Sequence, residues 1–406
     1  MKIRVGDFQI NEEEKRAIIE VLDSGRLSEG PKVKEFESKW AEFIGAKYCI
    51  STSSGSGALM VGLTAIKYKH NLPAGSKIIT TPLTYIADSS AIVTTGFEPI
   101  YVDVDPLTFC ITPEVIESHL AKIKKSKNYV AILPVDLMDY SVKIDEINSL
   151  AKKYNLLVFE DAAQAHGTKY KGKRAGSQAL LALYSFYIAH NVQAGEMGAL
   201  VTKDPKISKL AKKLKAQGRA CDCPVYARAE GKCPRIFTYK GDDDFDPRFS
   251  HDYIGYNFKT MEFQAALGLT QLKKVDFIIK RRQENIKYLN KGLEKFSDLL
   301  QLPQYSDNIS YLAYPLVIKK PRTISRKELR AKLELEGIET RPLFGSIPTQ
   351  QPAFSYLKSK CKGKLPNADY IGLNGFYVGC HQYLQKSDLE YMVEAFKKIL
   401  NKSKSR

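Results

Sequence analysis

Between residues 77 and 202, short apolar runs alternate with stretches of helical periodicity, and no other feature limits the possible folds as strongly. The strand-like runs are 77–81 (KIITT), 100–104 (IYVDV), 130–134 (VAILP), 156–160 (LLVFE), 181–186 and 199–202. Parallel neighbours need long crossover connections, and the helical stretches between most of these runs supply them. The pattern predicts an α/β fold with a doubly wound, mostly parallel sheet and helices on both faces. In such folds ligands bind at the carboxyl ends of the strands.

The flanks extend this reading. Residues 11–22 predict a helix capped by Asn11 with acidic residues in its first turn, 27–31 a loop, and 32–44 a second amphipathic helix. After 275 the pattern changes to a long helix over 276–296, one strand over 311–318, and further helices. The expected division is a large domain, 1–275, and a smaller C-terminal α+β domain, 276–406, whose tail 401–406 (NKSKSR) reads as disordered.

Composition narrows the classes. With 44% hydrophobic residues the 406-residue chain can build a full core. No apolar run approaches the roughly 20 residues of a membrane helix, and the first residues hold no apolar signal region, so a cytoplasmic protein without membrane contact is expected. The net charge of +17 raises nucleic-acid binding, but the lysines are scattered, and the cluster 206–215 (KISKLAKKLK) reads as a solvated helix face. A basic surface also attracts a diphosphate-bearing substrate. Seven cysteines, an odd number, argue against a disulfide framework. Cys49 and Cys110 sit in strand-like context and read as buried thiols.

Three segments carry chemistry. Ser53-Ser54-Gly55-Ser56-Gly57 precedes an apolar helix and is either an anion-binding helix N-terminus or a plain turn. The run 157–167 (LVFEDAAQAHG) brings Glu160 and Asp161 to a strand end, where Asp161 either pairs with a protonated pyridine nitrogen or caps a helix. The segment 184–198 (YSFYIAHNVQAGEMG) is another strand end followed by a loop bearing His190, which is either catalytic or structural.

The order of these segments resembles the DegT/DnrJ/EryC1/StrS family. The matching residues are Gly55-Ser56, Glu160 to Gly167, Ser185-Phe186 with Gly195-Glu196, Gly255-Tyr256-Asn257 and Gln264 to Gly268. The resemblance covers nearly the whole chain, including 5–7 at the start and 337–342 near the end. It implies fold type I of the pyridoxal-phosphate-dependent transferases, aspartate aminotransferase-like, and action on a nucleotide-linked keto sugar. Carried over by position, Gly55, Ser56 and Ser185 would hold the cofactor phosphate, Tyr85 would stack on the ring, Asp161 would pair with its nitrogen, and Gln164 would face its hydroxyl. Asn257 would reach the cofactor phosphate of the other subunit in a homodimer with a shared site.

One departure redirects the chemistry. Aminotransferases of the family carry a Schiff-base lysine where this chain has His190. An imidazole moves protons near neutral pH but cannot replace a primary amine as that nucleophile. The branch with histidine there comprises the 3-dehydratases, and two further stretches resemble it: 341–344 (RPLF) with 351–354 (QPAF), and 374–379 (NGFYVG). The implied activity is C3 dehydration of a nucleotide-linked 4-keto-6-deoxyhexose, in deoxysugar and lipopolysaccharide biosynthesis, with His190 as base and pyridoxamine or pyridoxal phosphate as cofactor. The alternative is a sugar-nucleotide aminotransferase with a substituted lysine, which Gln164 favours. A reductase partner would serve the dehydratase if the product is reduced.

Cys221, Cys223 and Cys233 follow Gly218-Arg219 and resemble, with longer spacing, the run that holds a [2Fe–2S] cluster in a CDP-sugar member of that branch. The fourth ligand position there corresponds to Ala163 in this chain. Three thiolates fall short of a usual cluster set, so the expectation is either a metal centre completed by another residue or a remnant of one.

Overall fold

The computed structural model describes residues 2–123, 128–221 and 249–404. The chain opens with helix α1 (Glu12–Asp23), whose Asn11 cap accepts the Glu13 and Glu14 amides in a capping box, and α2 (Pro31–Ile44). Strands β1 (Tyr48–Thr52), β2 (Lys77–Thr80), β3 (Glu98–Tyr101), β4 (Tyr129–Leu133) and β5 (Leu157–Asp161) alternate with α3 (Gly55–His70), α4 (Ala87–Thr94), α5 (Pro113–Ala121) and α6 (Ile144–Tyr154). A hairpin, β6 (Lys169–Tyr170) and β7 (Lys173–Arg174), leads to β8 (Leu181–Ser185), β9 (Gly198–Thr202) and α7 (Pro205–Leu214).

The main sheet has seven strands in the order β1-β9-β8-β5-β4-β2-β3. Strand β9 runs antiparallel to both β1 and β8, and every other neighbouring pair is parallel. Six strands therefore end on the same edge. Alternation along the strands separates two cores: Ile50, Leu181, Leu183 and Leu200 pack with the apolar residues of α3 to α7, whereas Cys49, Ala182, Tyr184, Ala199 and Val201 pack with α2 and α8 (Glu262–Lys273). Helices on both faces follow from this, as the sequence pattern predicts.

Helix α9 (Val275–Leu293) leads to a second sheet in the order β10 (Leu300–Gln301), β11 (Tyr314–Ile318), β13 (Gly375–Val378), β12 (Thr340–Pro342), all antiparallel. Helices α10 (Arg326–Leu335), α11 (Pro366–Asn374) and α12 (Lys386–Lys404) surround it.

Several expectations need correction. The strand expected at 100–104 is Glu98–Tyr101, because Asp103 turns away to accept the Asn367 and Ala368 amides at 3.0 Å each. The expected strand 311–318 begins only at Tyr314, because the carbonyls of Tyr311 and Leu312 accept the Arg282 guanidinium instead of joining a ladder. Cys110 lies in a loop, with its thiol against the Tyr140 carbonyl. The tail is helical to Lys404, with Ser403 buried and bonded to the Ile399 carbonyl. The lysine cluster is not wholly solvated: Lys213 pairs with Asp252, and the buried Lys215 pairs with Glu29 at 2.5 Å and donates to the Ser51 carbonyl. Among the described residues, no helix is long and apolar enough to cross a membrane.

Candidate active site

The common strand edge gathers most of the expected site. Thr52 ends β1 and leads to Ser54, whose hydroxyl accepts the Gly57 amide and caps α3. The Ala58 amide bonds back to the Ser54 carbonyl, so the first amides of the helix, those of Gly55 and Ser56, are left for an anion. A Cβ on buried Gly55 would lie 2.8 Å from the Cβ and 3.1 Å from the hydroxyl of Ser185 at the end of β8. Gly55 and Ser185 thus form a cradle that only glycine leaves open, and Ser56 is exposed beside it.

Gly198, at the start of β9, supports this loop from below. A Cβ there would sit 2.2 Å from the Ser54 carbonyl oxygen and 2.7 Å from the Gly55 nitrogen. Gly198→Ala is expected to destabilise the chain by about 1–3 kcal/mol and to weaken phosphate binding at the helix N-terminus. Urea unfolding and a cofactor titration check this; an unchanged unfolding midpoint would mean that the loop does not press on the strand.

Glu160 and Asp161 point to opposite faces of β5. Glu160 is fully buried, accepts the Gly176 amide at 2.9 Å and lies within hydrogen-bonding reach of the Asp136 carboxyl. Asp161, at 6% exposure, accepts the Ala163 amide at 2.7 Å; no helix follows it, so it closes a turn and caps nothing longer. The Asp161 carboxyl also lies within hydrogen-bonding reach of Asp88 on α4. Burial raises the affinity of both acids for a proton, and the neighbouring charge raises Asp88 furthest.

His190 sits on the loop after β8, its amide bonded to the Tyr187 carbonyl. Its Nδ1 is buried without a protein partner, and its ring lies 5.8 Å from that of His166, edge to face. Burial pushes His190 down to about 4, with the Arg282 cation adding to that and the Ser185 backbone opposing it. The loop is anchored at two points: the Val192 amide donates to His166 Nδ1 at 3.1 Å, and Asn191 donates to Asp139 at 2.9 Å. Asp139 also accepts from Ser310 at 2.7 Å, and burial lifts it to about 7.

The remaining expected residues divide. Tyr85 is 61% exposed at the cleft, with Phe344 edge-on at 6.0 Å, so one of the stretches that resemble the 3-dehydratases meets the proposed stacking residue. Gln164 uses its oxygen to accept the Met138 amide at 2.7 Å, which leaves its NH2 group as the donor for a ligand. Asn257 is exposed and accepts from Lys259, one residue from Phe258, whose carbonyl holds the Ser53 amide at 2.9 Å. Cys221 is buried, while Cys223 and Cys233 lie outside the described residues. Among the described residues no group of three or more His, Cys, Asp or Glu side chains could hold a metal ion.

Sequence reasoning missed Asp88, Asp136, Asp139, Asn191 and Arg282. Asp136 and Asp139 carried a usable signal, being acids just past the predicted strand 130–134. The others become visible only through contacts distant in sequence.

A profile of the DegT/DnrJ/EryC1/StrS aminotransferase family matches residues 8–397. The chain is 31% identical to the lipopolysaccharide biosynthesis protein RfbH of Salmonella typhimurium, over 96% of this chain and 90% of that protein. It is 29% identical to a GDP-4-keto-6-deoxy-D-mannose 3-dehydratase of Escherichia coli, over 95% of this chain and 96% of that protein. Its fold superposes with a TM-score of 0.82 on an E. coli GDP-4-keto-6-deoxy-D-mannose-3-dehydratase with bound hydrated pyridoxal phosphate, at 27% identity, covering 97% of this chain and 98% of that one.

Proposed function

Since the chain belongs to the DegT/DnrJ/EryC1/StrS aminotransferase family, we propose that it is a nucleotide-sugar 3-dehydratase that uses pyridoxal or pyridoxamine phosphate and removes the C3 hydroxyl of a 4-keto-6-deoxyhexose. The observation that carries this reading is His190 on the loop after β8, where the family resemblance would put the Schiff-base lysine of the aminotransferases.

The residues present fit that cofactor. The first amides of α3, at Gly55 and Ser56, and the Gly55–Ser185 cradle match a phosphate, the buried Asp161 matches a protonated ring nitrogen, and the exposed Tyr85 ring matches a stacked pyridine. When bound, the cofactor supplies an electron-withdrawing ring conjugated to C4 of the sugar. Asp161 would keep the ring nitrogen protonated, and Tyr85, with Phe344 edge-on to it, would supply the stacking face. His190, held neutral by desolvation of its ring, would accept a proton.

The test is to incubate the chain with pyridoxamine phosphate and GDP- or CDP-linked 4-keto-6-deoxyhexose and to determine the product's mass. Loss of the C3 oxygen is expected, and borohydride leaves no pyridoxyl group on any lysine. Recovery of a pyridoxyl-lysine peptide sinks the reading. Gln164 favours a second reading, amine transfer to C4 with a substituted lysine, which predicts strict dependence on an amino donor. In both readings the active unit is a homodimer in which the exposed Asn257 reaches the other subunit's cofactor phosphate, and residues 276–406 form the smaller domain. Reduction of the 3-deoxy product, where it occurs, calls for an electron-transfer partner.

A further inference from the structure

Asp88 is a carboxyl group that the reading above does not use. It is 1% exposed, on the first turn of α4. One of its oxygens accepts the Thr84 hydroxyl at 2.7 Å, and the other has no protein donor, although it is closed off from solvent. Its carboxyl lies within hydrogen-bonding reach of Asp161, which reaches the same point from the end of β5. The other groups around it are Ser89, which accepts from the Tyr101 hydroxyl at 2.9 Å, and Thr84 on its own loop. No basic side chain takes part in these contacts.

Two buried carboxylates in contact cannot both stay ionised without a cation, because repulsion and desolvation act together. One shared proton removes the repulsion and gives the orphaned oxygen a partner. We infer that Asp88 is a positioning residue that retains a proton and donates it in a hydrogen bond to Asp161, so that the pair carries a single negative charge matched to a single protonated ring nitrogen. The inference rests on the proposed cofactor reading for its consequence, though not for the shared proton itself.

The consequence is electronic. A carboxylate that accepts a strong hydrogen bond is a weaker base. With Asp88 donating to it, Asp161 competes less well for the proton on the ring nitrogen, and that proton stays on the ring. Without the donor it moves toward Asp161, and the ring withdraws electrons less strongly. Asp88 touches neither ring nor substrate in this account and acts through Asp161 alone. Burial raises the proton affinity of Asp88 in agreement with this assignment.

Infrared spectroscopy of the full chain tests the shared proton before any cofactor is added. At neutral pH the difference spectrum between the natural chain and Asp88→Asn should contain a carboxylic-acid carbonyl stretch, well separated from the amide band. Asn retains the shape and an N–H donor, so this variant is expected to fold and to keep cofactor affinity within about threefold. Asp88→Ala removes the donor. With 15N-labelled pyridoxal phosphate bound, its ring-nitrogen resonance should move toward that of neutral pyridine, while Asp88→Asn stays close to the natural chain. A structural role alone would not move that resonance. The kcat of Asp88→Ala should fall about tenfold or more with KM nearly unchanged. Absence of an Asp88-dependent acid band overturns the shared proton, and an unmoved nitrogen resonance in Asp88→Ala overturns the tuning. If the chain binds no pyridoxal phosphate, the proposed function and the tuning both fail, whereas the infrared result still decides the shared proton.

Discussion

His190→Asn is expected to lower C3 elimination by about 10²–10⁴-fold while cofactor binding is retained, because positioned proton transfer contributes that factor. Asn matches the imidazole closely in size near the backbone, so the bonds of the loop at Val192 and Asn191 should persist. The variant therefore separates loss of the base from loss of the loop. An ordinary imidazole titrates near about 6.5, which leaves it mostly neutral at pH 7. Here burial pushes His190 down to about 4, so it is fully neutral across the physiological range. The acid limb of kcat/KM that belongs to this base should accordingly lie near pH 4. The stability linkage has the same sign: the contribution of the depressed group is fully present above its unfolded value and is lost as pH falls through about 4. His190→Lys should instead permit a covalent cofactor link and shift the activity toward transfer at C4. Near-normal deoxygenation by His190→Asn with every 4-keto-6-deoxy sugar nucleotide tested would remove the assignment.

Trp40→Ala should be the most destabilising single truncation considered, at about 3–5 kcal/mol. Trp40 is fully buried, and its ring contacts Phe36 at 6.0 Å, Phe43 and His166 at 5.3 Å, Tyr184 at 5.1 Å and Phe186 at 4.7 Å. Its indole N–H has no protein acceptor, so the loss is almost wholly one of packing. The effect should extend to the site. His166 and Phe186 form the floor of the His190 loop, and a cavity beneath them frees the ring that accepts the Val192 amide. Trp40→Phe, which keeps an aromatic ring, should cost distinctly less on both counts. Trp40 is the chain's single tryptophan, so the variants must be followed by circular dichroism in urea rather than by intrinsic fluorescence. A loss below about 1 kcal/mol would contradict the close packing of this core.

The main sheet was largely legible because six of its seven strands are short apolar runs with helices in most of the crossovers; β1 (Tyr48–Thr52) went unpredicted, since Ser51 and Thr52 break its apolar run and pairing with β9 fixes it as a strand. The four-stranded sheet was not, because β10, β12 and β13 span only two to four residues and take their strand character from pairing with β11. The helical end of α12 and the ion pairs of Lys213 and Lys215 were hidden for a related reason. A lysine-rich stretch has the same pattern whether its charges meet water or a distant carboxylate.

The same boundary runs through the site. Gly55, Ser56, Tyr85, Asp161, Gln164, Ser185 and His190 lie on short motifs whose order resembles that of the family, and it was this resemblance that implied the cofactor class and a histidine in place of lysine. What tertiary structure alone decided is the state of those groups. Whether His190 titrates near 6.5 or near 4, and whether Asp161 stands alone or against Asp88, depends on burial and on neighbours 73 or more positions away, such as Asp88 from Asp161 and Arg282 from His190. A sequence records which side chains are present, but desolvation and Coulomb interactions depend on distance in space, and only the folded chain sets those distances.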